Sequence, residues 1–499
     1  MDSPINPAYY QGSNGYLKRL VPSAARRILD VGCGAGQLGA ELKASDAGVE
    51  VWGIEVVPEI AETALQKLDH VIVANLEHLP PLPVPPKYFD CIICGDVIEH
   101  LTRPQATLEW LKTFLSDGGL LLCSVPNIGH WSVVAGLLAG KFTYESKGLL
   151  DRTHLRFFTA ESFRLLLMDS GFGIQHEENH PLPHNDIVEP LVHAAHQLGI
   201  NPEITRRSLE TYQEIYAAKP LSPVIDASTS HLLGPAKSDG VSIVVLTYNS
   251  ASTIRACSES IMRTLGENDE VIFVDNASQD QTVEILRQLW RSDPQVRFIR
   301  NARNLGFSRG SNVGLKATKG RYLCLLNPDT VVYPGWIESL RRRLDDPSVG
   351  LVGPLSDKIA GDQFVGHYIR PKMSLGEVLP FLRSHYLQNS IETKLLIGMC
   401  VMSRRETLDQ VGLLDEDLFL GSDDLELSWR LRTHGLKLVV APDAFVHHEG
   451  GVSFSSEPRE KTDALLFDST EKLLTKVRNY YGWLPTSIDC WGIAIIHAE

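Results

Sequence analysis

The segment Ile28-Leu29-Asp30-Val31-Gly32-Cys33-Gly34-Ala35-Gly36 is an apolar strand that breaks into a glycine-rich turn, and a helix begins at Gln37. Glycine tolerates left-handed backbone and lets a ligand approach main-chain atoms at the carboxyl end of a strand. A second break of this kind ends Val241-Ser242-Ile243-Val244-Val245-Leu246-Thr247-Tyr248-Asn249. Each opens its own train of alternating strands and helices, which indicates two α/β domains. At 499 residues the chain also exceeds what one hydrophobic core usually supports.

Outward from the first turn, strands are expected over residues 27–31, 50–54, 71–74, 89–94 and 120–125, with helices from 37, over 58–68 and over 160–170. The proline-rich stretch 79–86 reads as a loop, since proline cannot serve a central strand. This first domain is taken as residues 1–175. Apolar strands then stop, and 176–238 reads as a linker rich in Pro, His, Asn and Ser, with helices expected around 186–198 and 202–218. The second domain, 239–456, shows strands at 241–247, 270–275, 297–300 and 322–326, alternating with helices at 252–264, 281–291, 308–318 and 334–344. Residues 457–499 form a tail that begins helical and ends in an apolar aromatic patch, 483–496.

Composition narrows the function classes. A content of 43% hydrophobic and 22% charged residues is ordinary for globular domains. The formal charge of -14 disfavours nucleic-acid binding, and the one basic run, Arg341-Arg342-Arg343, reads as a solvated helix face. Residues 1–11 carry no signal pattern, and no apolar stretch approaches the ~20 residues of a spanning helix. A cytoplasmic location without a transmembrane segment is expected, which leaves peripheral membrane contact open. The eight cysteines are too scattered for a disulfide scaffold; Cys91 and Cys94 lie in one strand, on opposite faces, and cannot jointly grip a metal.

The first turn has chemical company. Glu55 stands at a solvent-reached strand end, where a carboxylate can accept two hydrogen bonds from a ribose diol. Asn75-Leu76 follows the third strand, and Gly95-Asp96-Val97-Ile98-Glu99-His100-Leu101 follows the fourth. A dinucleotide oxidoreductase would prefer G-x-G-x-x-G, but the sixth position here is Gln37. Taken in order, these segments resemble the class I S-adenosylmethionine-dependent methyltransferases over about the first third of the chain. The resemblance implies a Rossmann-like sheet holding S-adenosylmethionine through Asp30, Gly32, Gly34, Gly36, Glu55, Asn75, Leu76 and Asp96. Asp96 reads equally as a helix N-cap. Methyl transfer to a hydroxyl needs an in-line acceptor oxygen and a base for its proton. His100 and His154 are the candidates; the run Leu150-Asp151-Arg152-Thr153-His154 is similar to sequences in methyltransferases of bacterial polysaccharide clusters. The alternative for His154 is a loop brace with Asp151, and residues 140–148, with Phe142 and Tyr144, could cover a substrate.

In the second domain, Thr247-Tyr248-Asn249 and Val274-Asp275-Asn276-Ala277-Ser278-Gln279-Asp280 end the first two strands, and Asn301-Ala302-Arg303-Asn304-Leu305-Gly306 precedes a helix. Asp280 reads as a turn or cap residue. Leu326-Asn327-Pro328-Asp329-Thr330, Gly421-Ser422-Asp423-Asp424-Leu425-Glu426 and His447-His448-Glu449-Gly450 follow. These six segments resemble the family 2 glycosyltransferases of GT-A fold, in the rhamnosyltransferase-like branch, which leans towards a deoxysugar donor. The resemblance implies a nucleotide-diphosphate sugar donor held by Thr247, Tyr248, Asn249, Asp275, Asn304, Gly306 and Asn327. It further implies Mg or Mn at Asp329 and His448, with His447 the competitor, and Asp424, then Asp423, as catalytic base. Asn327 stands where the family's metal motif has its first Asp. The expected whole is a bifunctional glycan-building enzyme acting on a sugar, glycan or glycolipid acceptor. Its rival is a glycosyltransferase whose first half is only a methyltransferase-like docking module.

Overall fold

The computed structural model describes residues 14–183, 185–449 and 459–493. They divide into two compact units: the described residues up to Leu221 with Asn479–Trp483, and Ser222–Arg478 with the described residues from Leu484.

The first unit is built on β1 (Arg27–Val31), β2 (Glu50–Glu55), β3 (His70–Val73), β4 (Phe89–Gly95), β5 (Leu115–Pro126), β6 (Phe172–Pro181) and β7 (Thr211–Pro220). They form one sheet in the order β3-β2-β1-β4-β5-β7-β6. The first five are parallel, and β7 runs antiparallel to both β5 and β6. Parallel strands buried on both faces read as continuous apolar runs, as in Cys91 to Cys94. Alternation then sends Leu29, Ile92 and Cys94 into one core and Ile28, Cys91 and Ile93 into the other. The two cysteines do face apart, and all eight are free.

The sheet extends past the expected boundary at 175, which falls inside β6. The helix expected over 202–218 is instead the helix Pro202–Glu210 followed by β7. Ile215, Tyr216, Ala217 and Ala218 are buried because β7 lies between two other strands, and a short apolar run of this kind does not distinguish helix from strand. The end of the expected linker joins the second unit, where the Asp226 N–H donates to the Val411 carbonyl at 3.1 Å.

The second sheet contains β8 (Ser238–Thr247), β9 (Glu270–Asp275), β10 (Val296–Arg300), β11 (Gly320–Leu326), β12 (Thr330–Val332), β13 (Val349–Ser356), β14 (Ile391–Thr393), β15 (Cys400–Arg404) and β16 (Lys437–His448). Its order is β10-β9-β8-β11-β15-β13-β16-β12, with β14 beside β16. The four expected strands form the parallel half, and β12 to β16 were not foreseen. Direction reverses where β11 meets β15, so the ligand-facing turns of the parallel half lie beside a mixed half that supplies the later motifs.

The helix Asp423–Thr433 is pinned by the fully buried pair Arg430–Glu426, at 2.7 and 2.8 Å. Arg430 also donates to the carbonyls of Val411, Gly412 and Leu413, which satisfies a charge that burial would otherwise make costly. The tail carries the helix Arg459–Tyr481, and in the second unit Trp491 is buried and donates to the Leu425 carbonyl at 2.9 Å. Residues 1–11, Gly450 to Ser453, the 456/457 boundary and 494–496 of the aromatic patch lie outside the described residues.

Candidate active sites

In the first unit, Gly32, Gly34 and Gly36 all have positive φ, at 68°, 52° and 74°. A Cβ on Gly32 would sit 2.6 Å from Val97 Cγ2, so the turn is closed against the segment after β4. Glu55 is 4% exposed, not solvated as its position at a strand end suggested. Its Oε2 accepts the Gly34 N–H and its Oε1 the Val57 N–H, each at 3.0 Å. Asp30 lies buried below the turn, and its carboxyl is pushed up to about 7 by burial and then by the Glu55 charge.

The other expected cofactor residues are less alike. Asn75 is exposed and caps the short helix Leu76–His78, accepting the Glu77 N–H at 2.9 Å, while Leu76 is core. Asp96 is exposed and left-handed, at φ 54°; it accepts from Ser124 and Gln213, and Val97, not Asp96, is the N-cap of the helix Ile98–His100. A non-glycine residue in this region is strained, and such strain clusters at functional sites.

His154 is 8% exposed, and burial followed by the neighbouring His100 holds its imidazole below the ordinary range. Its ring centroid is 4.8 Å from that of His100. The expected brace to Asp151 is a main-chain one, the His154 N–H donating to the Asp151 carbonyl at 3.0 Å, while His154 Nδ1 meets the Leu149 carbonyl at 3.3 Å and the Asp151 carboxylate accepts from Thr153. Phe142 and Tyr144 are exposed, and Phe142 lies edge-on to Phe157, which in turn faces His154.

In the second unit, register sets Thr247 of β8 beside Asp275 of β9. Asp275 is 5% exposed, accepts the Ser278 N–H and pairs with Arg300 Nε at 3.3 Å. Half-buried Tyr248 lies beside Asn249, which is left-handed at φ 50° and exchanges hydrogen bonds with Ser278 and Gln279, knitting the two strand-end turns together. Asp280 accepts from Thr282 and Ala251, the turn role expected of it. Asn304 Oδ1 accepts from Asn276 Nδ2 and the Gly306 N–H, both at 2.9 Å, which ties its loop to the turn after β9. Gly306 is required by packing, since a Cβ there would lie 2.5 Å from the Phe419 carbonyl oxygen.

Asp329 is 4% exposed, and its Oδ1 has no hydrogen-bond partner. His448 Nε2 lies 3.4 Å from that oxygen, and Nδ1 is 3.0 Å from the Lys358 carbonyl. An Nδ1–H donated to a carbonyl leaves the Nε2 lone pair facing the aspartate, the usual arrangement of a metal-binding imidazole. Burial opposes the His448 charge, but Asp329 beside it holds its pKa above the ordinary value. His447, its neighbour in β16, instead meets Asp357 and Glu449, so the antiparallel register that sets His448 opposite Thr330 separates the two histidines. An orphaned carboxylate oxygen facing an imidazole nitrogen fits a divalent cation.

Asp424 is half-buried; its Oδ2 accepts the Gly398 N–H at 3.4 Å and its Oδ1 its neighbour's N–H, from Leu425, at 2.8 Å. Met399, next along from Gly398, accepts the Asn327 N–H at 2.8 Å. Consecutive residues therefore tie the acidic helix start to the turn that carries Asp329. Burial lifts both Asp423 and Asp424 above the usual carboxylate range, and at Asp423 the charge of Asp424 adds to it.

Residues 13–177 match the methyltransferase domain family, and residues 242–412 match glycosyl transferase family 2. The chain joins a methyltransferase domain to a family 2 glycosyl transferase domain. An uncharacterized protein, y4gI, of Sinorhizobium fredii is 30% identical over 234 residues, which is 44% of this chain and 25% of that protein. The succinoglycan biosynthesis protein ExoO of Rhizobium meliloti is 29% identical over 225 residues, 43% of this chain and 62% of that protein. The chain thus spans less than two thirds of either relative. A solved S-adenosylmethionine-dependent methyltransferase of Archaeoglobus fulgidus aligns with 43% of this chain and 94% of its own, at 20% identity and a TM-score of 0.30. The fold expected from sequence, a Rossmann-like methyltransferase sheet followed by a GT-A domain, is the fold observed. No helix among the described residues is long and apolar enough to cross a membrane.

Proposed function

We propose that this chain is a bifunctional enzyme of glycan synthesis, transferring a sugar with inversion from a nucleotide-diphosphate donor and O-methylating a sugar or glycan with S-adenosylmethionine. The observation that carries the reading is the tie through Gly398 and Met399, which holds the acidic residue Asp424 against the turn of Asp329. In sugar transfer Asp424 takes the proton of the acceptor hydroxyl as its oxygen attacks the anomeric carbon from the face opposite the departing diphosphate. Thr247, Asn249 and Asp275 hold the nucleotide end, and Asp329 and His448 would hold a divalent cation. When bound, such a cation, Mg or Mn, neutralises the diphosphate.

In methyl transfer the turn of Gly32, Gly34 and Gly36 presents main-chain groups to the cofactor, with Glu55 reaching its ribose. A biosynthetic role in a surface polysaccharide agrees with ExoO, whose name is that of a succinoglycan biosynthesis protein. Mass spectrometry of products from a panel of nucleotide sugars, with and without S-adenosylmethionine, tests both halves. One sugar increment and one methyl increment are expected. A product that never gains the methyl group while the cofactor binds would favour a docking role for the first half.

A further inference from the structure

The segment after β4 and His154, which lies beyond β5, form a cluster that the proposed function leaves unused. Glu99, His100 and His154 each bring one ligand atom within 4.8 Å of the other two. Glu99 is 1% exposed, and neither carboxylate oxygen has a hydrogen-bond partner. A buried unpaired oxygen costs about 1–3 kcal/mol, more when charged. Both imidazoles are oriented from behind. His100 Nδ1 lies 3.1 Å from the Thr153 carbonyl and His154 Nδ1 lies 3.3 Å from that of Leu149. With Nδ1–H donated in each case, both Nε2 lone pairs are left for something else, and the nearest unmet group is an oxygen set that also only accepts. Three acceptors converging without a donor call for a cation. The Glu99 carbonyl accepts the N–H groups of Leu155 and Arg156, each at 2.9 Å, which locks the two halves of the cluster together.

We propose that Glu99, His100 and His154 form a divalent-cation site with open coordination positions, and that the acceptor hydroxyl of methyl transfer occupies one of them. Two imidazole nitrogens and a single carboxylate suit zinc, cobalt, manganese or iron better than calcium, and three protein ligands are the pattern of a catalytic rather than a structural site. The cluster belongs to the cofactor region, because Val97, which closes against Gly32, is two residues before Glu99. A cation lowers the pKa of a bound hydroxyl as it does that of water. The hydroxyl proton then leaves to solvent, the oxygen lone pair forms the C–O bond to the sulfonium methyl, and the C–S pair departs with the neutral thioether. His154 is accordingly a ligand, not the base expected from sequence. The role of the open position rests on the methyltransferase reading, whereas binding of the ion does not.

The test uses the full chain carrying Asp329→Ala and His448→Ala, which silences the other candidate cation site, titrated with cobalt(II) and followed by its visible absorption. One equivalent is expected to bind with the spectrum of imidazole and carboxylate ligation. Because second-sphere changes alone weaken metal sites 10- to 100-fold, Glu99→Gln and His100→Ala should each lower affinity by about a hundredfold or more. Glu99→Gln keeps the side chain's shape, and circular dichroism confirms that the loss is not unfolding. Cobalt affinity unchanged from the parent in Glu99→Gln and His100→Ala, or no stoichiometric binding in the parent, would overturn the site. Calorimetry with S-adenosylmethionine on the same samples separates the two readings. Cobalt binding with the stated losses but no cofactor binding upholds the cation site and overturns its role in methyl transfer.

Discussion

The main-chain N–H of Gly34 donates to Glu55 Oε2 at 3.0 Å, so the acidic residue at the end of β2 is bonded to the glycine turn it faces. With Oε1 held by the Val57 N–H, the carboxylate is fixed in place before any ribose arrives. Substrate hydrogen bonds to a group already fixed cost less ordering, which favours affinity.

Glu55→Ala should therefore do two things. S-adenosylmethionine binding should weaken about tenfold or more, since hydrogen bonds to a charged group are worth roughly 1.5–3 kcal/mol. The melting temperature should also fall, because the Gly34 and Val57 N–H groups lose their partner. Glu55→Gln should recover part of both. Wild-type affinity by calorimetry in Glu55→Ala would remove this residue from the cofactor site.

Asp30 gives a pH dependence of stability. Its folded-state carboxyl is raised to about 7 by burial and by Glu55, well above its unfolded value of about 4. The folded state thus holds a proton that the unfolded state releases, so the contribution to stability is complete below about pH 4 and is lost as pH rises through about 7. Asp30→Asn should flatten this fall. Thermal scans of the full chain between pH 5 and 8 check it: an unchanged slope in the first unit's transition would mean that Asp30 is not the group responsible.

The turns after β1 and β8, the parallel halves of both sheets and the acidic and histidine motifs were legible in sequence because each lies on local periodicity or a local break. Strands β6 and β7 were not, because β7 is inserted antiparallel beside β5, more than eighty residues upstream, and nothing local announces that pairing. The same holds for Asp357, whose carboxylate meets His447 and the His448 N–H from ninety positions away and so decides which histidine faces Asp329. The hydrogen-bonding capacity of Asn304 is visible in sequence, whereas the Asn276 amide that meets its Oδ1 is not. Glu99 stood within a quoted motif, but only its unpaired oxygens give it a role.

Sugar transfer should depend on a divalent cation and fall on the order of a hundredfold in Asp329→Ala and in His448→Ala, since such an ion supplies several kcal/mol of charge stabilisation. His447→Ala should cost much less, because its ring faces Asp357 and Glu449. Donor turnover measured after exhaustive chelation decides the matter; undiminished activity would assign the diphosphate to protein donors alone.

Asp424→Asn should abolish most sugar transfer while leaving donor binding and methyl transfer largely intact. The amide keeps the side chain's size but cannot take the acceptor proton, and a positioned base supplies on the order of 10² to 10⁴ in rate. Asp423→Asn should be milder, and it should leave the acid limb of the pH profile in place. Burial raises both carboxyls and the Asp424 charge raises Asp423 further, so Asp424 gives up its proton first and the acid limb of wild-type transfer should lie above the ordinary carboxylate range. Asp423 still holds its proton on that limb and has no charge there for the substitution to remove. Rates at saturating donor across pH 4 to 9 test both statements. A dead Asp423→Asn beside a wild-type Asp424→Asn would move the base one residue back, and an acid limb moved to lower pH in Asp423→Asn would show that Asp423 ionises before Asp424.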